Sequence, residues 1–507
     1  MQTKTKPKTS EALYTYIRAD RPIIYINHFD SKEIDDVLGR MPSQPKIIEF
    51  NNALGYISFE TKTSLSEELT LESFLALYLQ EVFNERTLIL LKDIHNFFIN
   101  DKVIALLKLM ADKIRSTKNY KVNILIVSAK LVIPAELEHM ITLFQCPLPK
   151  DAEINEIIEQ FCKEVEYKID PKDSAEIARA LVGLNGFQIN QTLRYAYLRN
   201  TNSLNFNKTK EWILQEKEQI VKKSGKIEYI NSDENIENIG GLENLIEWLK
   251  RKQKIIQDID KAIHFCVAIP KGLMIVGMPG CGKSLAAKAA AKLFGIPLLR
   301  LDVGRLMGKY VGESEENMRQ ALSIAEASSP CVIWIDEIEK AFAGLGGSGG
   351  GSDVTTRLFG HFLTWMQDKE NSPKNTVFVV ATANDISHLP AEFLRKGRFD
   401  EVFFVDFPNE GERKKIFEIH LKKRNRNEAL NLTQIAQMTS GYCGADIEAV
   451  VLETIEHAFL ENRKHITQDD LLTIIKDTKS ISVNQKAKID TIRKGVKEYE
   501  IRPASKP

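Results

Sequence analysis

Residues 273–294 read LMIVGMPGCGKSLAAKAAAKLF. An apolar strand-like run ends in a glycine-rich turn, and an alanine-rich helical stretch follows. The turn, Gly277-Met278-Pro279-Gly280-Cys281-Gly282-Lys283-Ser284, satisfies G-x-x-x-x-G-K-[ST] between a strand and a helix, the setting that pattern needs. Glycines let the backbone wrap phosphates, whose charge the amide N–H groups and the helix N-terminus receive. Lys283 is placed to reach the β and γ phosphates of ATP, and the Ser284 hydroxyl to bind Mg²⁺.

Outward from this loop, CVIWIDEIEK delivers Asp336 and Glu337 at the end of an apolar run, Asp336 lying 53 residues after Lys283. Many strands end on carboxylates. At this distance from a phosphate loop, Asp336 is expected to hold the metal-water shell and Glu337 to polarise the attacking water. Asn384, after VFVVATA, is expected to hold that water or to sense the γ-phosphate. Arg395 and Arg398 stand in LRKGRFD. As arginine fingers acting in trans they would stabilise transition-state charge by roughly 10³–10⁵ in rate. Fingers in trans require a ring or another head-to-tail assembly.

Apolar runs at 23–26, 87–91, 124–127, 273–276, 332–335 and 377–381 alternate with helix-like stretches such as 71–83 and 316–327. That alternation predicts parallel α/β sheets. The two halves also echo each other. Pro134-Ala135-Glu136 matches Pro390-Ala391-Glu392, and Pro149, Glu153 and Ile157 match Pro408, Glu412 and Ile416 at the same offsets. Gly183/Gly186 and Gly441/Gly444 follow in turn, and Asp93 in LILLKDIHNF echoes Asp336. Asp93 precedes Pro134 by 41 residues and Asp336 precedes Pro390 by 54; the difference is about the length of the glycine-rich stretch 344–353, read as a mobile loop. After 23–26 the first half reads NHFDSKEID, with no glycine for close backbone approach and no Lys-Ser pair. Its stretch LEHMITLFQ, matching the region of Arg395 and Arg398, holds no arginine. The first half thus reads as a degenerate copy that does not hydrolyse ATP. His28, Asp30, Glu33, Asp93 and His95 are read there as loop and helix-start residues rather than metal ligands.

The bulk composition is ordinary. Lys+Arg and Asp+Glu are 69 each, so net charge points to neither nucleic acid nor membrane. Six scattered cysteines without a C-x-x-C pair argue against zinc and fit a reducing cytosol. The segment MQTKTKPKTS lacks a secretory apolar core, and no uncharged run approaches the roughly 18 residues of a membrane helix. A soluble, cytoplasmic protein is expected, stromal if plastid-encoded.

Taken together, these residues resemble the AAA ATPase clade that includes membrane-anchored proteases and the segregase and severing ATPases, over about 236–476. NIGG at 238–241 is similar to the clade's opening motif, with Asn238 in place of its Asp. The resemblance implies adenine contacts at Ile239 and Gly240, a lid histidine at His420 beside adenine, and a sensor-2 segment at Gly444-Ala445-Asp446. KYVGESEENMRQA resembles the first pore loop, making Tyr310 and Val311 the pair that grips a threaded protein chain. The stretch 344–353 falls where the second pore loop lies. More narrowly, FLTWMQD, VVATANDISHLP, LRKGRFDEVFFVDFP and IRPAS resemble the AAA proteins of cyanobacteria, other bacteria and plastid genomes known from a hypothetical chloroplast reading frame. Lys396 in place of the clade's proline, and a first half without a phosphate loop, belong to that pattern.

The expected fold is α/β: a disordered segment 1–10, a degenerate AAA-like domain 11–223, a linker 224–238, an AAA large domain 239–407, a helical lid 408–480, and a helix with a solvated basic tail at 481–507. The expected function is Mg-dependent ATP hydrolysis by a homo-oligomeric, hexameric ring. It is coupled to remodelling or threading of a protein substrate, with substrate or adaptor docking on the N-terminal half. An ATP-gated scaffold that switches assembly without threading is the alternative. Nucleic-acid remodelling is disfavoured: no recognisable module is present, and the clearest basic segment, 484–507, carries seven Lys/Arg against three Asp/Glu.

Overall fold

Each of the six apolar runs forms a strand, and its alternate side chains enter opposite layers. Along 272–277, Met274 and Val276 join one buried cluster while Leu273 and Ile275 join another. Along 23–27, Ile23 and Tyr25 pack on one face and Ile24 and Ile26 on the other. A strand covered by helices on both faces needs apolar residues at every position, which is why these runs show no alternation. The computed structural model describes residues 9–506 apart from 67–68, 118–119, 232–233, 308–312, 343–350, 369–375, 387–388, 396, 427, 481 and 483–485.

The first unit comprises residues up to 157 together with 185–191. Its strands are β1 (Ile23–Asn27), β2 (Lys46–Asn51), β3 (Gly55–Ile57), β4 (Ser64–Ser66), β5 (Thr87–Lys92), β6 (Val122–Ser128) and β7 (Ile141–Phe144). They lie in the order β4-β3-β2-β5-β6-β1-β7. All pairs are parallel except β2 with β3 and β3 with β4.

The second unit, residues 158–184 and 192–507, carries β8 (Ile227–Ile230), β9 (Gly272–Gly277), β10 (Leu298–Leu301), β11 (Cys331–Ile335), β12 (Val377–Ala383), β13 (Glu401–Val405) and β14 (Arg502–Pro503). Read from the β8 edge, the order is β8-β10-β11-β12-β9-β13-β14. Its five central strands match β2-β5-β6-β1-β7 of the first sheet in sequence and in space, so the internal echo is a repeated topology. A helical lid with its own core follows, built on Phe417, Ile435, Val450 and Leu471. Crossover helices such as Lys283–Phe294 separate the parallel strands.

Several expectations change. The stretch 224–238 is not a linker: its β8 pairs antiparallel with β10 and closes the edge of the second sheet. Helices within 158–184 and 192–224 belong to the second unit, which divides the expected 11–223 module. There Val221 joins the second sheet's core, and the Lys217 ammonium donates to the Ser329 carbonyl over 2.5 Å. The basic segment past 481 is not a free tail: its described basic residues are exposed, but Ile489, Ile492 and Val496 of the helix Lys486–Glu498 are buried, and β14 extends the sheet beside β13. Of the expected disordered segment, residues 9 and 10 begin the helix Thr9–Arg18, and the rest lies outside the described residues. The glycine-rich stretch 344–353 lies outside them as far as 350; 351–353 open the helix Gly351–Asp368.

Candidate functional site

Strand β9 ends on Gly277, whose φ is +150° and where an added Cβ would stand 2.0 Å from the Val405 carbonyl oxygen. No side chain fits, so the loop leaves the sheet pressed against β13. Met278 follows, buried, its N–H donating to the same Val405 carbonyl over 3.0 Å. The chain then turns through Pro279–Gly282 into the helix Lys283–Phe294, whose first N–H groups face the loop. The Lys283 ammonium donates to the carbonyls of Gly277, at 2.9 Å, and Met278, at 2.7 Å. Burial lowers its pKa from the ordinary lysine value.

The ends of β11 and β12 meet this loop. Asp336 Oδ1 accepts from the hydroxyls of Ser284, over 3.1 Å, and Thr382, over 2.6 Å. Thr382 in turn accepts from the Glu337 N–H at 3.0 Å. Glu337 has a left-handed backbone, φ +49°, and its Oε1 accepts from the Asn384 side-chain amide over 2.9 Å. Its carboxylate also pairs with the Lys340 ammonium. Lys340 foremost, and then Asn384, hold Glu337 below the usual glutamate range, so it is an anion at neutral pH. Sequence reading missed Thr382, the hydroxyl that ties both acidic residues together. The available signal was a lone polar residue inside an otherwise buried apolar strand.

One cleft of about 520 Å³ is lined by Pro279–Ser284, Asp336, Glu337 and Asn384, together with Ile239, Gly240, His420, Gly444 and Ala445. Gly277 and Met278, also expected to contact the nucleotide, do not line it. The Ala445 N–H donates to the Gly280 carbonyl over 3.1 Å, fastening the lid to the loop. Burial lowers the His420 pKa, favouring neutral imidazole. Arg395 and Arg398 do not line this cleft. Arg395 is exposed beside a separate groove of about 810 Å³ at the start of β9, β12 and β13, and Arg398 donates to the Glu392 carbonyl at 2.6 Å. Tyr310, Val311 and Lys396 lie outside the described residues.

The matching place in the first sheet is built differently. The registers Thr87↔Val122 and Cys331↔Val377 align the strands, putting Lys92 at the position of Asp336 and Asp93 at that of Glu337. The expected match of Asp93 with Asp336 is therefore off by one; Asp93, φ +56°, shares the left-handed backbone of Glu337. Lys92 is buried and pairs with Asp35 at 2.7 Å and Glu49 at 2.9 Å. Asp30 takes the N–H groups of Lys32 and Glu33 at the start of the helix Ser31–Gly39. A carboxylate caps the helix where the second unit leaves its N–H groups facing an open loop. His28 pairs with Glu33 at 3.3 Å.

Comparison with known proteins matches four segments of the chain. Residues 273–407 match the ATPase family associated with various cellular activities (AAA), and 429–473 match an AAA+ lid domain. Residues 9–146 and 152–224 match the N-terminal and second domains of SpoVK-like AAA ATPases. The AAA domain-containing protein ycf46 of Guillardia theta is 35% identical over 501 residues, 96% of this chain and 95% of that protein. The ycf46 protein of Pyropia yezoensis is 33% identical over 503 residues, 98% and 99% of the two chains. The ATP-dependent zinc metalloprotease FtsH of Thermotoga maritima is 34% identical over 241 residues, 47% of this chain and 39% of that protein. With a phosphate loop, paired acidic residues and a lid around one cleft, and with relatives matching from end to end, the chain is an ATPase that belongs to the ycf46 family of AAA proteins.

Proposed function

We propose that this ATPase works as a homo-oligomeric ring, a hexamer, that hydrolyses Mg-ATP to remodel or thread a protein substrate. The observation that carries the reading is the position of the two arginines. Every other candidate catalytic residue is joined in one hydrogen-bonded set, while Arg395 and Arg398 stay outside the cleft of their own chain, as fingers for a neighbour would.

Within the cleft, loop N–H groups and Lys283 receive the phosphates; Lys283 exchanges its two backbone carbonyls for phosphate oxygens. Ser284 and Asp336 present hard oxygen donors 3.1 Å apart, a set that fits Mg²⁺. When bound, the ion neutralises phosphate charge. Glu337 accepts the proton of the attacking water, and Asn384 holds the Glu337 carboxylate and that water in line with the γ-phosphate. Ile239, Gly240 and His420 form the base side, and Gly444-Ala445 holds the lid on the phosphate loop. The N-terminal half docks substrate or adaptor. A cytoplasmic location, or a stromal one if the gene is plastid-encoded, suits this role, and no described helix is long and apolar enough to cross a membrane. The sequence has no H-E-x-x-H, so threading would not end in proteolysis by the same chain.

Mixing subunits tests the ring. Arg395→Ala/Arg398→Ala protein and Glu337→Gln protein should each be inactive. Mixed, they should regain ATPase activity where an intact Glu337 meets intact fingers from its neighbour. No recovery at any ratio rejects fingers in trans. Tyr310→Ala then separates the two modes of work: a motor keeps its ATPase rate and loses remodelling. Remodelling that survives the change favours the ATP-gated scaffold.

A further inference from the structure

The carboxylate of Glu412 joins three separate parts of the chain. On its own helix, Glu410–Lys423, it forms a reciprocal cap with Asn409, whose N–H donates to Oε2 over 2.8 Å. Its Oε1 accepts from the Leu242 N–H at 3.3 Å and from the Ser505 hydroxyl at 2.6 Å. Glu412 is only 7% exposed, so these donors replace the water its charge has lost. The turn at Gly241, φ +104°, reaches the carboxylate because there is no side chain to intervene; an added Cβ would stand 2.1 Å from Oε1.

Ser505 is brought there by a strap, residues 501–506, that runs along the free edge of β13. The Ala504 N–H donates to the Phe404 carbonyl at 2.8 Å, and the Leu245 N–H to the Ala504 carbonyl at 3.2 Å. The Asn244 amide donates to the carbonyls of Pro503, at 3.1 Å, and Ser505, at 2.9 Å. Ala504 is fully buried. Ser505, Glu412 and Leu242 all line the cleft beside Ile239 and Gly240. The phosphate loop takes the phosphates, so this wall is left to receive the nucleoside.

We infer that Ser505 is a positioning residue of the nucleotide cleft: through Glu412 its hydroxyl fixes the 239–242 turn against the first lid helix and so shapes the wall that receives the nucleoside. This deepens the reading of the cleft as the nucleotide site and rests on it. Because the lid helix and the 239–242 turn share one carboxylate with the strap, an intact strap also holds the lid to the large domain on the nucleoside side.

The test uses the full chain, with ribose-labelled ADP and inorganic tripolyphosphate as two probes, both with Mg²⁺. Ser505→Ala should weaken ADP on the order of tenfold, the scale of one hydrogen bond to a charged group, and leave tripolyphosphate unchanged. Ser505→Thr, which keeps the hydroxyl, should restore ADP affinity. Equal ADP affinity in wild type and Ser505→Ala overturns the inference while the site reading stands, provided Lys283→Ala abolishes binding. Equal weakening of both probes also overturns it, since Ser505 would then act through general stability. Wild-type protein that binds no ADP, or Lys283→Ala protein that binds it as tightly, rejects the site reading and this inference with it.

Discussion

The side-chain amide of Asn384 donates to Glu337 Oε1 over 2.9 Å and so spans the ends of β12 and β11. The backbone N–H of Asn384 is also fixed, donating to Glu339 Oε1 at 2.9 Å. One residue thus aims a carboxylate whose backbone is strained and whose other partner, Lys340, is an exposed and mobile kind of side chain. The pairing gives Glu337 one defined direction in the cleft.

Glu337→Gln should therefore still bind Mg-ATP and lose turnover by about 10²- to 10⁴-fold, the usual contribution of a general base. Asn384→Ala should also bind and should lose turnover by a smaller factor, since the carboxylate remains but is no longer aimed. Phosphate release and nucleotide titration, run on the same preparations, check both. Wild-type turnover in Glu337→Gln removes that residue from the chemistry.

Nucleotide stoichiometry should be one per chain. In the first unit, the buried cation Lys92 occupies the place of Asp336, and Asp30 caps the helix that would otherwise face phosphate. Titration calorimetry of the full chain should count one ADP, and Lys283→Ala should reduce it to none. A second site surviving in the Lys283→Ala protein would show that the first unit binds nucleotide after all.

Gly241→Ala should destabilise the protein by about 2 kcal/mol or more, from a left-handed backbone and a Cβ forced onto Glu412. Denaturant unfolding measures it. An unchanged midpoint would mean the turn does not press on the carboxylate as described.

Lys217 gives a pH signature. It is 2% exposed, its ammonium donates to the Ser329 carbonyl, and burial brings its pKa down to about 8. In the unfolded chain it titrates near 10.4. Between those values the unfolded state binds more protons, so stability rises with pH across the window, by roughly 3 kcal/mol in all. Below pH 8 both states are protonated and the slope vanishes. The wild-type stability curve should therefore rise relative to that of Lys217→Met between about pH 8 and 10.5. Parallel curves would refute the assignment.

The α/β class, the six buried strands and the residues expected around the cleft were legible in the string of residues. These depend on local chemistry: six apolar runs buried on both faces, and a loop whose glycines, lysine and serine lie within eight residues. The sequence also showed the first unit as a repeat without a phosphate loop, since missing glycines are visible in a string. The rest depended on contacts between distant parts of the chain. Nothing local distinguishes 227–230 or 502–503 from a linker or a solvated tail; each becomes a strand by pairing with an edge already formed. Lys92 replaces Asp336 rather than preceding its counterpart because strand register, not resemblance, fixes which residues correspond. Ser505 meets Glu412 across 93 residues of chain, and a lone serine carries no sign of its partner until β13 has brought the strap to the cleft.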